Sequence, residues 1–390
     1  MTRATLTILV ALACLRTLAA WSSPPRGSRL DVVVSTTREF RAALSAAGPG
    51  TTISVNSGVY AGGSYRNGIA GTAEAPVVIQ AADPTRPPVF VGGANGLQLS
   101  NASYVTLRDL VFEGPGQNGI NIDDGSTFDT PSHHILIARV IVRDLPAGNR
   151  DGIKLSGVTD FVIEDSTVER WGDAGSAIDM VGCHRGVIRN SRVRHTPGIQ
   201  VGNGIQAKGG STQIVITGNR FEHAAARAVQ IGGITSLRLF RPQPPGSAEA
   251  SEVLVERNVF IGGQTAVAFV GSDGGVFRFN TAYLPALWPI RILQEHTAAG
   301  LVASRNGVVT DNIVYWRGAE VGLNIGRNTN PASFTFARNH WYREDAPASS
   351  RLALPGGETD GTYGVDPGFM LPPGDLRTRG NLPAGAYAPR

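Results

Sequence analysis

The sequence predicts an all-β solenoid, and three observations carry that prediction. First, four alike phrases follow one another: RDGIKLSG, GSAIDMVG, GNGIQAKGG and RAVQIGG. Aligning Ile153, Ile178, Ile205 and Val229 places them 24 to 27 residues apart, the length of one solenoid coil. Second, each phrase is bounded by glycine and followed by another apolar run carrying Asp or Asn, as in FVIEDSTV and GVIRNSRV. Third, the 390 residues include 49 Gly and only 17% charged residues. Many tight turns between short β-branched runs produce that composition. A hydrophobic fraction of 42% excludes general disorder.

Taken in order, residues 1–20 read as a secretory signal. Arg3 precedes an apolar run from Leu6 to Leu15, and small residues follow at Ala19 and Ala20. The run is too short for a membrane span, so a secreted or periplasmic location is expected. Cys14 lies in a poor lipoprotein context. Removing the signal leaves Cys183 as the only cysteine, which excludes an internal disulfide and a cysteine zinc site. Residues 21–35 form a Pro- and Ser-containing lead-in. Thr36 and Glu39 then fit a capping box, with Phe40, Ala43, Leu44 and Ala47 at helical spacing and a stop at Gly48-Pro49-Gly50. A short helix there would cap the open apolar end of the solenoid.

From Thr52 the period becomes two, and coils are expected through residue 345. A polar residue recurs in the second run of most coils: Asp109, Asp165, Asn190, Asn219, Asn258, Asn280, Asn312 and Asn339. Turn chemistry predicts that these form one stacked ladder. Two insertions, 124–134 and 234–250, interrupt the coils, and such insertions collect on a binding face. Residues 346–390 are Pro- and Gly-rich and should pack as extended structure on the last coils, with no separate domain.

Net charge is +4, which suits an acidic ligand, and no lysine-rich run or nucleic-acid motif is present. Only two of the 35 basic residues are lysines, Lys154 and Lys208, and both fall inside the aligned phrases. Lysine can act as a base when its proton is lost, whereas arginine effectively cannot.

Side chains alternate along a strand. If the aligned isoleucines face the core, then Asn121, Lys154, Asp179, Gln206 and Gln230 form an outward column facing solvent. Asp123 and Lys208 stand in the next outward column, with Asp151 and Arg227 at the strand entrances. Such a patch of carboxylates, amines and amides suits an acidic sugar polymer. Removing the proton beside a uronate carboxylate needs a cation to neutralise that carboxylate and a nearby base. Clustered Asp residues can hold calcium. The same residues also fit a plain surface salt-bridge network, which contributes little. Two other activities stay open. One is glycoside hydrolysis by a pair of Asp carboxylates, and the other is sugar binding without catalysis at a cell surface.

At this point the chain resembles the pectin-lyase-like superfamily of right-handed parallel β-helices, over roughly residues 36 to 370. AALSAAGPGTTISVNSGVY, TAEAPVVIQAAD and ASYVTLRDLVFEG are similar to the opening of chondroitinase-B-like and alginate-lyase-like members. That resemblance implies a right-handed parallel β-helix of about ten coils. RDGIKLSG, DAGSAIDMVG and GNGIQAKGG resemble the three site phrases of family 9 pectate lyases. By that resemblance Asp151 and Asp179 match calcium ligands, while the other Asp pair falls on Gly175 and Ser176. Lys208 stands two residues after that family's base.

The reading that results is a secreted, monomeric lyase that cleaves an acidic polysaccharide by β-elimination. Lys208 is its base and Lys154 an alternative base or carboxylate clamp. Asp151, Asp179 and Asp123 would hold calcium. Arg227, Gln206, Gln230 and Asn121 would bind substrate.

Overall fold

The computed structural model describes residues 30–198, 201–243, 246–380 and 382–389. The expected signal at 1–20, with Cys14, and the first part of the 21–35 lead-in lie outside the described residues. The chain forms two compact units, one through Ser191 and one from Arg192 on. Each is wound as a parallel β-helix from three parallel sheets. Among the described residues no helix is long and apolar enough to cross a membrane.

In the first unit, Ser64–Asn67, Leu97–Ser100, Ile120–Asp123, Ile153–Ser156 and Ser176–Val181 pair in that order. The register stacks Ile120 on Ile153 and Ile153 on Ile178, all three pointing into the core. The glycines before Ile120 and Ile153 follow from this close winding. A Cβ on Gly152 would stand 2.3 Å from Val168 Cγ1 and 2.6 Å from the Ala177 carbonyl oxygen. The apolar end is closed by helix α1, Thr37–Ala46. Its capping box forms as expected: Glu39 N–H donates to Thr36 Oγ1, and the Glu39 carboxylate accepts from the Thr36 and Ser35 N–H groups. Phe40 from α1 packs on Phe90, whose ring stacks on Phe112 at 5.3 Å. The lead-in holds one element the sequence reading lacked. Leu30–Val34 adds a parallel strand beside Thr51–Val55, as its β-branched run favours.

In the second unit, Asn203–Lys208, Arg227–Gly232, Thr265–Val270, Trp288–Leu293 and Asn324–Ile325 form the corresponding sheet. The residues after Ala346 do not sit only at the final coil. Phe369, Leu376, Ala384 and Ala386 pack against Val259, Ile261, Ile313 and Tyr315 along the flank of this unit.

The expected single ladder resolves into two different positions. In the second unit Asn219, Asn258, Asn280, Asn312 and Asn339 stack, fully or nearly buried. From Asn258 on, each Oδ1 accepts the backbone and side-chain N–H of the Asn one coil before, at 2.8 to 3.1 Å. The row ends on Glu358, whose Oε1 accepts both donors of Asn339. In the first unit Asp109, Asp165 and Asn190 are not ladder members. They stand one residue earlier in the turn, with φ of 59, 50 and 51°. The inward position there is held by Leu110, Val140, Ser166 and Ser191. Ser191 Oγ accepts from Ser166 N, and Ser166 Oγ accepts from Val140 N, both at 3.1 Å. Asp and Asn are favoured at both positions, for left-handed backbone and for turn hydrogen bonds, so the pattern alone merged them.

Candidate active site

The first unit brings together Asn121, Asp123, Asp151, Lys154 and Asp179. Gln98, Asn121, Lys154 and Asp179 pair in register and form the expected column. Lys154 Nζ lies 3.4 Å from Asp151 Oδ2 and forms a closer ion pair with Asp179 Oδ2. Asp151 Oδ1 accepts the Ser176 N–H at 2.8 Å. Burial by itself would lower the Lys154 pKa. The charges of Asp179 and Asp151 and their hydrogen bonds outweigh it and hold the ammonium above the usual lysine range. Lys154 is thereby paired as a cation with both carboxylates.

These carboxylates do not fit a calcium site as arranged. A cation already bridges Asp151 and Asp179. Asp123 is served separately, since its Oδ2 accepts from Asn121 and Gln98 amides at 2.8 and 3.1 Å and its Oδ1 from Gly125 N at 2.9 Å. Among the described residues no group of three or more His, Cys, Asp or Glu side chains is arranged to hold a metal ion.

The second unit brings together Gln206, Lys208, Arg227 and Gln230. The register stacks Gln206, Gln230, Ala268, Arg291 and Asn324 in one column. Lys208 Nζ donates to Gln206 Oε1 at 3.2 Å, and Asn203 Nδ2 donates to the same oxygen at 3.2 Å. Arg227 donates to Gln230 Oε1 and makes a two-pronged ion pair with Glu295. Arg291 lies over the Trp288 ring at 4.4 Å and donates to Asn324 Oδ1 at 2.9 Å.

The column was expected to face solvent. Its direction is as expected, but Asp179, Gln206 and Gln230 are only 2, 4 and 2% exposed. Stacking at coil spacing makes neighbouring side chains cover one another. Arg227, expected to meet a substrate carboxylate, meets Glu295.

The turn after Lys208 is walled by Phe240 and Arg241 of the insertion. Arg241 N–H donates to the Gly209 carbonyl, and the Phe240 ring lies against Gly210. Beneath it, Glu249 is fully buried. Its Oε2 accepts Gly209 N at 2.9 Å, and its Oε1 accepts Thr235 N at 2.7 Å and pairs with His296 Nδ1 at 2.5 Å. Two adjacent glycines let these groups approach. A Cβ on Gly232 would stand 3.3 Å from Glu249 Cβ, and one on Gly233 would stand 3.3 Å from Lys208 Cδ and 2.6 Å from Gln206 Nε2. Sequence reading missed Glu249, Trp288, Arg291, Glu295 and His296. Extending the alignment from AVQIG to AVAFV and PIRIL places Arg291 in the column. Nothing local marks Glu249, which comes from the insertion.

The comparisons with known proteins agree with this architecture. The model described as "Right handed beta helix region" matches residues 95–238. No curated protein matches the sequence. Among solved structures, the chain is similar to an alginate lyase from Paenibacillus sp. str. FPU-7 at 17% identity, covering 78% of this chain and 100% of that one, with a TM-score of 0.54. It is also similar to the PL6 family alginate lyase AlyGC at 12% identity, covering 89% of this chain and 55% of that one, with a TM-score of 0.51. At such identities the likeness is one of fold. By fold the chain is a right-handed parallel β-helix.

Proposed function

We propose that this protein is a polysaccharide lyase that cleaves an acidic, uronate-containing polysaccharide by β-elimination. In this reading the reaction occurs on the face of the second unit around Lys208. The observation that carries the reading is an amine, in a chain that otherwise writes every basic residue except Lys154 as Arg, set beside a column of amides and arginines. The two solved structures named above, both alginate lyases, support it. In this reading Arg227 exchanges its Glu295 partner for the substrate carboxylate, with Gln206 and Gln230 donating to the sugar. Neutralising that carboxylate makes the adjacent C5 proton removable, and the Lys208 amine takes it. Hydrolysis by an Asp pair fits less well, because Lys154 ties Asp151 to Asp179. An exported location, expected from residues 1–20, suits a polymeric substrate.

The test is incubation of the purified protein with pectate, alginate and glycosaminoglycans while following ultraviolet absorbance of the unsaturated uronate. A rise on one of them is expected. No rise on any of them sinks the proposal for these substrates.

A further inference from the structure

We propose that His296 is the catalytic acid of this reaction, held by Glu249 and paired in function with Lys208. The inference rests on the lyase reading. A lyase needs two proton transfers, and Lys208 supplies only the base. The candidate acid must lie near the base, be oriented, and keep one exchangeable position open.

His296 meets these conditions in the second unit. Its Nδ1 stands 2.5 Å from Glu249 Oε1, and a carboxylate there only accepts, so Nδ1 carries a proton. The other oxygen of the same carboxylate accepts from Gly209, the residue after Lys208. One buried carboxylate therefore spans the turn of the proposed base and the imidazole. Nε2 has no hydrogen-bond partner among the described residues, and the His296 side chain is 12% exposed. Glu249 itself is 0% exposed, and burying a carboxylate is costly unless it is fully partnered. Two backbone N–H groups and the imidazole provide that partnership.

The step balances as follows. The Lys208 amine takes the C5 proton and becomes ammonium. The C5–H electron pair becomes the C4–C5 double bond. The C4–O4 bond breaks with its pair on O4. O4 then takes the Nε2 proton of imidazolium His296, which becomes neutral with Nδ1–H still on Glu249.

The experiment compares wild type, His296→Ala and His296→Asn on the polymer cleaved by wild type and on a small uronate bearing 4-nitrophenolate at C4. Asn keeps a donor where Nδ1 was and removes Nε2. On the polymer both variants should lose roughly 100-fold or more in kcat with KM changed about threefold at most. On the activated uronate, whose leaving group needs no proton, both should stay within about fivefold of wild type. Wild-type rates on the polymer for His296→Asn overturn the proposal and leave the lyase reading standing. Equal losses on both substrates also overturn it, assigning His296 to structure. A wild type that cleaves neither substrate overturns the lyase reading, and this role with it.

Discussion

The two lysines occupy equivalent kinds of strand and meet opposite surroundings. Lys154 stands among carboxylates, which fix it as a cation and bind their own charge in doing so. Lys208 stands among amides, next to a turn held by a buried Glu–His pair. A position in the repeat therefore settles which way a side chain points. The neighbours one coil away settle what it can do. The same lesson holds for the inward turn position, where one unit stacks asparagines and the other leucine, valine and serines.

The largest expected effect separates the lysines by activity. Lys208→Ala should lower kcat by about 1,000-fold, the scale of a lost general base. Equal rates for Lys208→Ala and wild type would remove Lys208 from the chemistry. Lys154 should instead show itself in stability. Lys154→Ala leaves Asp151 and Asp179 buried against each other, and denaturant unfolding should show a loss of about 3 kcal/mol. The sign with pH follows from the raised pKa of Lys154. Its contribution is fully present below the ordinary lysine value of about 10.4 and is lost as pH rises through the higher folded value. The margin of wild type over Lys154→Ala should therefore not shrink between neutral pH and about pH 10. A margin that vanishes by pH 9 would contradict the ion pairs described.

The turn position gives a smaller contrast. Asn280→Ala strands the Asn258 backbone N–H, while Asn258 Nδ2 keeps the Ile216 and Glu256 carbonyls, and it removes two more hydrogen bonds, so a loss of about 2–3 kcal/mol is expected. Ser166→Ala in the first unit should cost about 1 kcal/mol, since it serves one backbone donor. Equal losses would mean the two stacks are energetically alike. The smallest effect concerns metal. A chelator should leave the cleavage rate unchanged, because Lys154 occupies the place between the carboxylates. A rate abolished by chelator and restored by calcium would refute that reading of the Asp cluster.

Much of the fold could be read from the chain because a coil repeats its own grammar. Isoleucine spacing gave the register, and Thr36 with Glu39 gave the capped helix. The column of Asn121, Lys154 and Asp179 followed from alternation alone. What could not be read depends on groups distant in sequence. The charge state of Lys154 is set by Asp179 on the next coil. The Glu295 partner of Arg227 is 68 residues away. Glu249 reaches the turn after Lys208 from an insertion that carries no periodic signal. The one-residue offset between Asp165 and Asn219 was hidden because both positions reward the same residue types.

The asparagine row of the second unit has a direction. From Asn258 on, every Oδ1 receives from the coil before, and the last acceptor, Glu358, has its second oxygen taken by Trp341 and Tyr363. An ionised carboxylate offers no N–H to pass on. Glu358 is thus a full stop written in side-chain chemistry. A duplicated coil inserted before Asn339 and bearing its own Asn could join the row, whereas one added beyond Glu358 would find no donor to continue it.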